Sequence, residues 1–208
     1  MLDLYHWEPN GASGRVLIAL EEKGLAYSSC YVDVLAFEQY RPELLKLSEA
    51  GEVPLLMHDG APYTEASYIC EFLDEAFPGR PLLPSDARGR WEVRVWQKYV
   101  DDGFAASVSE LAWQAYGGAR SLGALAPGAL SAAVERIPVK EGRELWKTAA
   151  AGLGEEQLAR ARGRVDEAVK KIEAQLAGSQ WLAGSAYSLA DIAVFPYFKY
   201  LPELCPGL

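Results

Sequence analysis

The chain has 208 residues, 50% of them apolar and 24% charged, a composition typical of soluble globular proteins. Its net charge of −9 opposes binding to nucleic-acid phosphates and anionic lipids, and no run of about 18 apolar residues predicts a membrane span. We therefore expect neither a nucleic-acid nor a membrane partner. Three scattered cysteines and two histidines predict no disulfide framework and no metal site. The first residues lack a signal-peptide pattern, so we expect a cytoplasmic protein.

The first 80 residues alternate strand and helix patterns. Residues 2–7 predict a strand, and residues 13–24 predict a helix that ends at Gly24. The elements that follow are a strand at 26–34, a helix at 37–50, a hairpin at 53–65 that turns at Asp59-Gly60, and a helix at 66–77. The order β-α-β-α-β-β-α requires both parallel and antiparallel neighbours. It therefore predicts a mixed α/β sheet of the thioredoxin-like kind.

A different pattern begins after a segment rich in Pro, Gly and charge at residues 78–90, which predicts a linker. Residues 91–117 and 155–178 repeat apolar side chains at steps of three and four, as helices in a bundle do. Residues 117–154 show weaker periodicity and predict partial helix. We therefore expect two domains, a thioredoxin-like one at 1–80 and an all-helical one at 88–208.

Ser13 stands where the first predicted helix begins, after the first strand. A serine at a helix start is commonly an N-cap that stabilises by about 1 kcal/mol. In this position it would also lie at the carboxyl edge of the sheet, where ligands bind in open α/β folds. A hydrolase nucleophile is disfavoured, because the frame from Gly11 to Arg15 lacks the second glycine of G-x-S-x-G and no Asp and His follow in the required order.

Val53-Pro54 and the start of the helix at 66–77 form a second candidate region. A cis proline before a strand would leave the backbone groups of Val53 open to an extended, peptide-like ligand, whereas a trans bond would make only a rigid turn. Free N–H groups at Ala66 would bind a ligand carboxylate, and the Glu65 carboxylate would bind an amine. The alternative for Glu65 is an ordinary first-turn partner of the helix dipole.

Six stretches resemble the glutathione transferase superfamily, and within it the bacterial glutathione-dependent β-aryl etherases that cleave lignin-derived dimers. They are LEEKGL, FEQY, GEVPLLMHDG, TEASYICEFLDEAFPG, RVWQKYVDD and YSLADI, spread over nearly the whole chain. In the last of them, Ser188 and Asp191 also predict a capping box, which is a structural feature. The resemblance implies glutathione transferase architecture and a dimer, either of two copies of this chain or with a related chain. It also implies helices beyond residue 208, so we expect the C-terminal end to be truncated or disordered.

The resemblance implies glutathione as co-substrate and Ser13 as the catalytic residue near its sulfur. It further implies glutathione contacts at Gln39, Glu52, Val53, Pro54, Glu65, Ala66 and Ser67. The second substrate would be aromatic, held by an apolar wall whose candidates are Trp7, Asn10, Trp113, Tyr116 and Tyr197. The implied reaction is attack of the thiolate on a carbon that carries an aryl ether beside a ketone, with expulsion of a phenolate.

Two residues depart from the family pattern. Ala66 stands where a serine usually follows the acidic residue, so its backbone N–H must suffice or Ser67 must substitute. Glu52 stands where Gln or Lys is usual and would repel the glycyl carboxylate of glutathione. These departures keep two alternatives open, a weakly active or non-catalytic partner subunit and a general glutathione transferase for other electrophiles.

Overall fold

The computed structural model describes residues 1–125 and 128–207. Its four-stranded sheet has the order β2-β1-β3-β4, and the strands are β1 at Leu2–His6, β2 at Ser28–Tyr31, β3 at Leu55–His58 and β4 at Ala61–Tyr63. Strand β1 is parallel to β2 and antiparallel to β3, and β3 is antiparallel to β4. The mixed, thioredoxin-like sheet expected from the sequence is confirmed.

The hairpin turn at Asp59-Gly60 is also confirmed. Both residues have positive φ angles, 49° and 79°, as a tight two-residue hairpin turn requires. The strand expected at 26–34 is shorter than the pattern suggested, since only β2 pairs with a neighbour.

Three helices accompany the sheet: α1 at Ala12–Glu22, α2 at Pro42–Leu45 and α3 at Ala66–Ala76. Helix α1 stops before Gly24, which adopts a φ of 63°. The prediction of one helix over residues 37–50 is wrong in extent. The segment instead contains a 3-10 turn at Glu38–Tyr40 and the single turn of α2. Phe37 has a φ of 60°, and Pro42 supplies no N–H for a continuous helix, so the apolar spacing there does not extend into one long helix.

The rest of the described chain is helical, as the sequence predicted. Its helices are α4 at Ala87–Tyr99, α5 at Ala105–Ala115, α6 at Gly118–Gly123, α7 at Ala129–Glu135, α8 at Lys140–Ala151, α9 at Glu155–Leu176, α10 at Leu189–Phe198 and α11 at Leu201–Leu204. A π-helical turn, Val100–Phe104, joins α4 to α5. The segment 78–90 is not linker throughout, because α4 begins at Ala87 with Asp86 as its N-cap. Partial helix at 117–154 is confirmed as α6 to α8, although residues 126 and 127 lie outside the described residues, as does residue 208.

One apolar core unites the sheet and the helical region. Leu4 of β1, Leu20 of α1 and Ile69 of α3 are fully buried in the same cluster as Val93 of α4 and Ile192 of α10. The predicted capping box at the start of α10 is present, with the Ser188 and Asp191 side chains bonded to backbone N–H groups. Because α10 packs on both α1 and α4, it fixes the start of α1 against the helical region.

Candidate active site

A cavity of about 570 Å³ lies between the start of α1, the loop before β3, and helices α5, α8 and α10. Most residues expected from the sequence as site residues line it: Trp7, Asn10, Ser13, Gln39, Glu52, Val53, Trp113, Tyr116 and Tyr197. Four expected residues do not line it: Pro54, Glu65, Ala66 and Ser67. The cavity therefore brings the proposed thiol site and the proposed aromatic wall into one space.

Ser13 is in the first turn of α1 and is only 4% exposed. It is not the N-cap; that position belongs to Gly11, which makes no side-chain capping bond. The Ser13 hydroxyl instead accepts a hydrogen bond from the Trp7 N–H at 3.1 Å. This bond fixes the oxygen, while none of the described residues accepts a hydrogen bond from the hydroxyl. The side chain is thus a positioned donor beside the positive end of the α1 dipole.

Gly14 allows the loop before α1 to fold closely over the helix start. A Cβ atom at Gly14 would lie 2.2 Å from the Pro9 carbonyl oxygen and 3.1 Å from the Pro196 side chain. The loop that carries Trp7 and Asn10 therefore packs directly on α1 and α10. This close approach sets the position of Ser13 relative to the helical region.

The peptide bond between Val53 and Pro54 is cis, as the sequence predicted. Neither the N–H nor the C=O of Val53 has a hydrogen-bond partner within the described part of the chain. Pro54 is buried behind this edge, at the beginning of β3. Val53 thus presents one donor and one acceptor to the cavity, the pattern that an extended peptide backbone can pair with.

Gln39 and Glu52 lie beside Val53. Gln39 is 3% exposed, its Nε2 donates to the Val34 carbonyl oxygen at 3.4 Å, and its Oε1 is buried without a partner among the described residues. Glu52 remains open to solvent, yet neighbouring protein atoms strip part of its hydration. That desolvation, followed by the charge of Glu65, raises the pKa of the Glu52 carboxyl.

The start of α3 is organised by a network that the sequence did not predict. Ser67 donates to Asp101 Oδ2 at 2.6 Å and accepts from the Arg15 guanidinium, which also donates to Asp101 Oδ1 at 2.5 Å. The hydroxyl of Ser67 is therefore engaged by protein partners and does not take the place of the serine that Ala66 lacks. The exposed Glu65 and the backbone N–H groups of Ala66 and Ser67 remain at the N-terminal end of α3.

The opposite wall of the cavity is aromatic. Trp113 of α5 and Trp146 of α8 meet edge to face at 6.0 Å. The Trp113 indole donates to the Ala149 carbonyl oxygen at 2.9 Å, and the Trp146 indole donates to the Tyr40 hydroxyl at 3.0 Å. Both rings are thereby fixed by their polar edges. A flat ligand would meet preformed apolar faces with little loss of side-chain freedom.

Two tyrosines complete the wall. Tyr116 follows α5, is 55% exposed, and donates to Glu203 at 3.0 Å. Tyr197 is buried, and its ring lies near Gly11, where an added Cβ would be 3.8 Å from Tyr197 Cε1. Burial raises the pKa of the Tyr197 phenol, while the nearby Arg15 charge opposes that rise. This ring therefore connects the aromatic wall to the helix start that carries Ser13.

Sequence reasoning missed several cavity residues, among them Glu8, Tyr40 and Trp146. Glu8 is adjacent to the expected Trp7, and Tyr40 belongs to the quoted FEQY motif, so both had a local signal. Trp146 had none, because its contact with Tyr40 spans 106 residues.

A serine hydrolase arrangement finds no support in the geometry. His58 packs between Phe72 and Phe77 and does not line the cavity. Within residues 1–125 and 128–207, no group of three or more metal-type side chains comes together. No helix in those ranges combines the length and apolarity needed to cross a membrane.

Comparisons with known proteins agree with this architecture. The family model for the glutathione S-transferase N-terminal domain matches residues 4–81, and the model for the C-terminal domain matches residues 155–207. Protein LigF of Sphingobium sp. (strain NBRC 103272 / SYK-6) is 35% identical over 197 residues, which are 93% of this chain and 76% of that protein.

Solved structures give the same result. The crystal structure of beta-etherase LigF from Sphingobium sp. strain SYK-6 superimposes with a TM-score of 0.90 and 34% identity, over 97% of this chain and 84% of that one. A glutathione transferase homologue from sulfitobacter, solved with bound glutathione, has a TM-score of 0.70 at 21% identity, over 99% and 84% of the two chains, and shares the fold.

A thioredoxin-like sheet, an all-helical region and a cavity at the start of α1 together define a glutathione-dependent transferase. The chain belongs to the glutathione S-transferase superfamily, and glutathione is its co-substrate. Its similarity to LigF extends over most of both chains.

Proposed function

We propose that this glutathione transferase cleaves β-aryl ether bonds in aromatic ketones, with Ser13 as the residue that stabilises the glutathione thiolate. The observation that carries the proposal is the fixed Ser13 hydroxyl, whose proton is free to point into a cavity with an aromatic far wall. The similarity to a beta-etherase supports the substrate class.

Glutathione would lie along the edge formed by Val53. Its cysteine backbone pairs with the open N–H and C=O of Val53, and its γ-glutamyl end reaches the start of α3 at Glu65 and Ala66. Its glycyl end then lies toward Gln39 and Glu52. The open backbone of Val53, the start of α3 and the Gln39 amide fit a peptide-like ligand in this direction, with the thiol directed at the start of α1, whereas the Glu52 carboxylate opposes the glycyl carboxylate.

The Ser13 hydroxyl and the α1 dipole stabilise the thiolate together. A free thiol has a pKa of about 8.5, and lowering it by two units takes about 2.7 kcal/mol. A helix N-terminus supplies about 0.3–1 kcal/mol, and a hydrogen bond to a charged acceptor supplies about 1.5–3 kcal/mol. Their sum reaches the required value, whereas the dipole alone does not.

The chemical step is a displacement. The thiolate attacks the carbon that bears the aryl ether and lies beside the ketone, so that a C–S bond forms as the C–O bond breaks. The phenolate leaves with the bonding electron pair and takes a proton from water. The fixed rings of Trp113 and Trp146 hold one aromatic group of the substrate, and Tyr197 borders the reacting carbon.

The test is incubation of the protein and glutathione with a phenacyl ether of a coloured phenol. We expect glutathione-dependent release of the phenol. Ser13→Ala should lower kcat by about 10- to 150-fold, the equivalent of one charged hydrogen bond, with a smaller change in the KM for glutathione. Turnover of simple electrophiles without ether cleavage would make the protein a general transferase. A Ser13→Ala variant as active as the wild type would remove Ser13 from the mechanism.

A further inference from the structure

The charges that line the cavity are of one sign. Among the lining residues that the structure describes, the acidic and basic side chains are Glu8 and Glu52, both carboxylates. The remaining lining is aromatic, aliphatic or uncharged polar. A negatively charged second substrate would therefore meet repulsion without a compensating lysine or arginine.

Glu8 is the carboxylate next to Trp7, one of the candidates for the aromatic wall. It lies in the loop after β1 and bonds to Tyr31 of β2, whereas Val53 precedes β3, which pairs with the other edge of β1. Glu8 is exposed, and its carboxylate accepts a hydrogen bond from the Tyr31 hydroxyl at 2.7 Å. A ligand that enters the cavity passes this charge, and the surrounding solvent makes its effect sensitive to salt.

The buried cation of α1 offers no direct partner to a carboxylate in the cavity. Arg15 does not line the cavity, its side chain is 3% exposed, and its guanidinium is paired with Asp101. The positive end of the α1 dipole is directed at the thiolate, which brings its own negative charge. Arg143 and Lys147 border a separate cavity beside α7.

We infer that Glu8 is a specificity-determining residue of this cavity, which disfavours aromatic ligands that carry a carboxylate relative to uncharged ones. The inference rests on the proposed function in one respect, the assignment of this cavity as the site that binds the aromatic substrate. Charge selection is a property of binding, so it is measurable whether or not an ether bond is cleaved.

The experiment compares two unreactive ketones, para-methoxyacetophenone and para-acetylbenzoate, which differ chiefly in the charge of one substituent. Trp7, Trp113 and Trp146 line the cavity, so quenching of tryptophan fluorescence reports binding. With glutathione present and at low ionic strength, we expect the neutral ketone to bind about tenfold more tightly. About 1 M salt shortens the Debye length to about 3 Å and should reduce that ratio.

Glu8→Gln should also reduce the ratio several-fold. Glu43→Gln is the matched control, because Glu43 is an exposed carboxylate of α2 that does not line the cavity, and it should leave the ratio unchanged. Equal affinities for the two ketones would overturn the inference. A preference that Glu8→Gln leaves unchanged would do the same, whether or not salt alters it. Failure of ether cleavage in the separate turnover assay would refute the proposed chemistry and leave this binding result standing.

Discussion

The ion pair between Arg15 and Asp101 joins α1 to the π-helical turn between α4 and α5. The side chain of Arg15 is 3% exposed and that of Asp101 is 44% exposed, and their atoms lie 2.5 Å apart. Asp101→Asn keeps the shape of the side chain but removes the charge that balances the buried guanidinium. Removing one partner of a buried pair typically costs about 3–5 kcal/mol, and solvent around Asp101 places this case near the lower value.

A loss of about 3 kcal/mol corresponds to a fall in Tm of about 6–12 °C for a chain of this size. The assay is thermal and urea unfolding followed by circular dichroism. Arg94→Gln is the control, because it breaks the exposed pair with Glu71, whose atoms are 2.7 Å apart with the arginine 55% exposed. That change should cost no more than about 1 kcal/mol. An Asp101→Asn variant as stable as Arg94→Gln would refute the reasoning.

Two further predictions concern packing. Gly14→Ala would force a Cβ against the Pro9 carbonyl, so we expect a loss of several kcal/mol of stability and of activity, whereas Gly103→Ala, with nothing within 4 Å, should be neutral or stabilising. Unfolding curves of the two variants decide this, and equal stabilities would contradict it. Burial raises the pKa of the Cys70 thiol to about 12, so a thiol reagent should modify Cys70 only on unfolding, after Cys30 and Cys205. Modification of all three at one rate in the native protein would refute this.

Local patterns carried most of the fold. The alternating strand of β1, the Gly24 stop and the Asp59-Gly60 turn each depend on residues close in sequence, and all three are present. The helix expected over 37–50 was too long, because spacing of apolar residues does not reveal the left-handed Phe37.

Site residues that belong to one local motif were predictable from the sequence, whereas contacts between residues distant in sequence were not. Ser13 and Val53 are marked by their place after a strand and before a proline. The bond between Arg15 and Asp101 spans 86 residues, and no local pattern pairs them. The available signal was Arg15 itself, a charge within an otherwise apolar helix face, which requires a buried partner.

The central claim is that glutathione binds as a thiolate at the start of α1 because Ser13 donates to its sulfur. The most direct measurement is the ultraviolet absorbance of the thiolate, titrated with pH in the protein–glutathione complex. We expect the bound thiol to have a pKa about two units below the free value of about 8.5, and Ser13→Ala to raise it by about one to two units. Ser109→Ala, whose hydroxyl donates to Ala105 in its own helix at 2.8 Å, should shift it far less. An unchanged thiol pKa in Ser13→Ala would contradict the account.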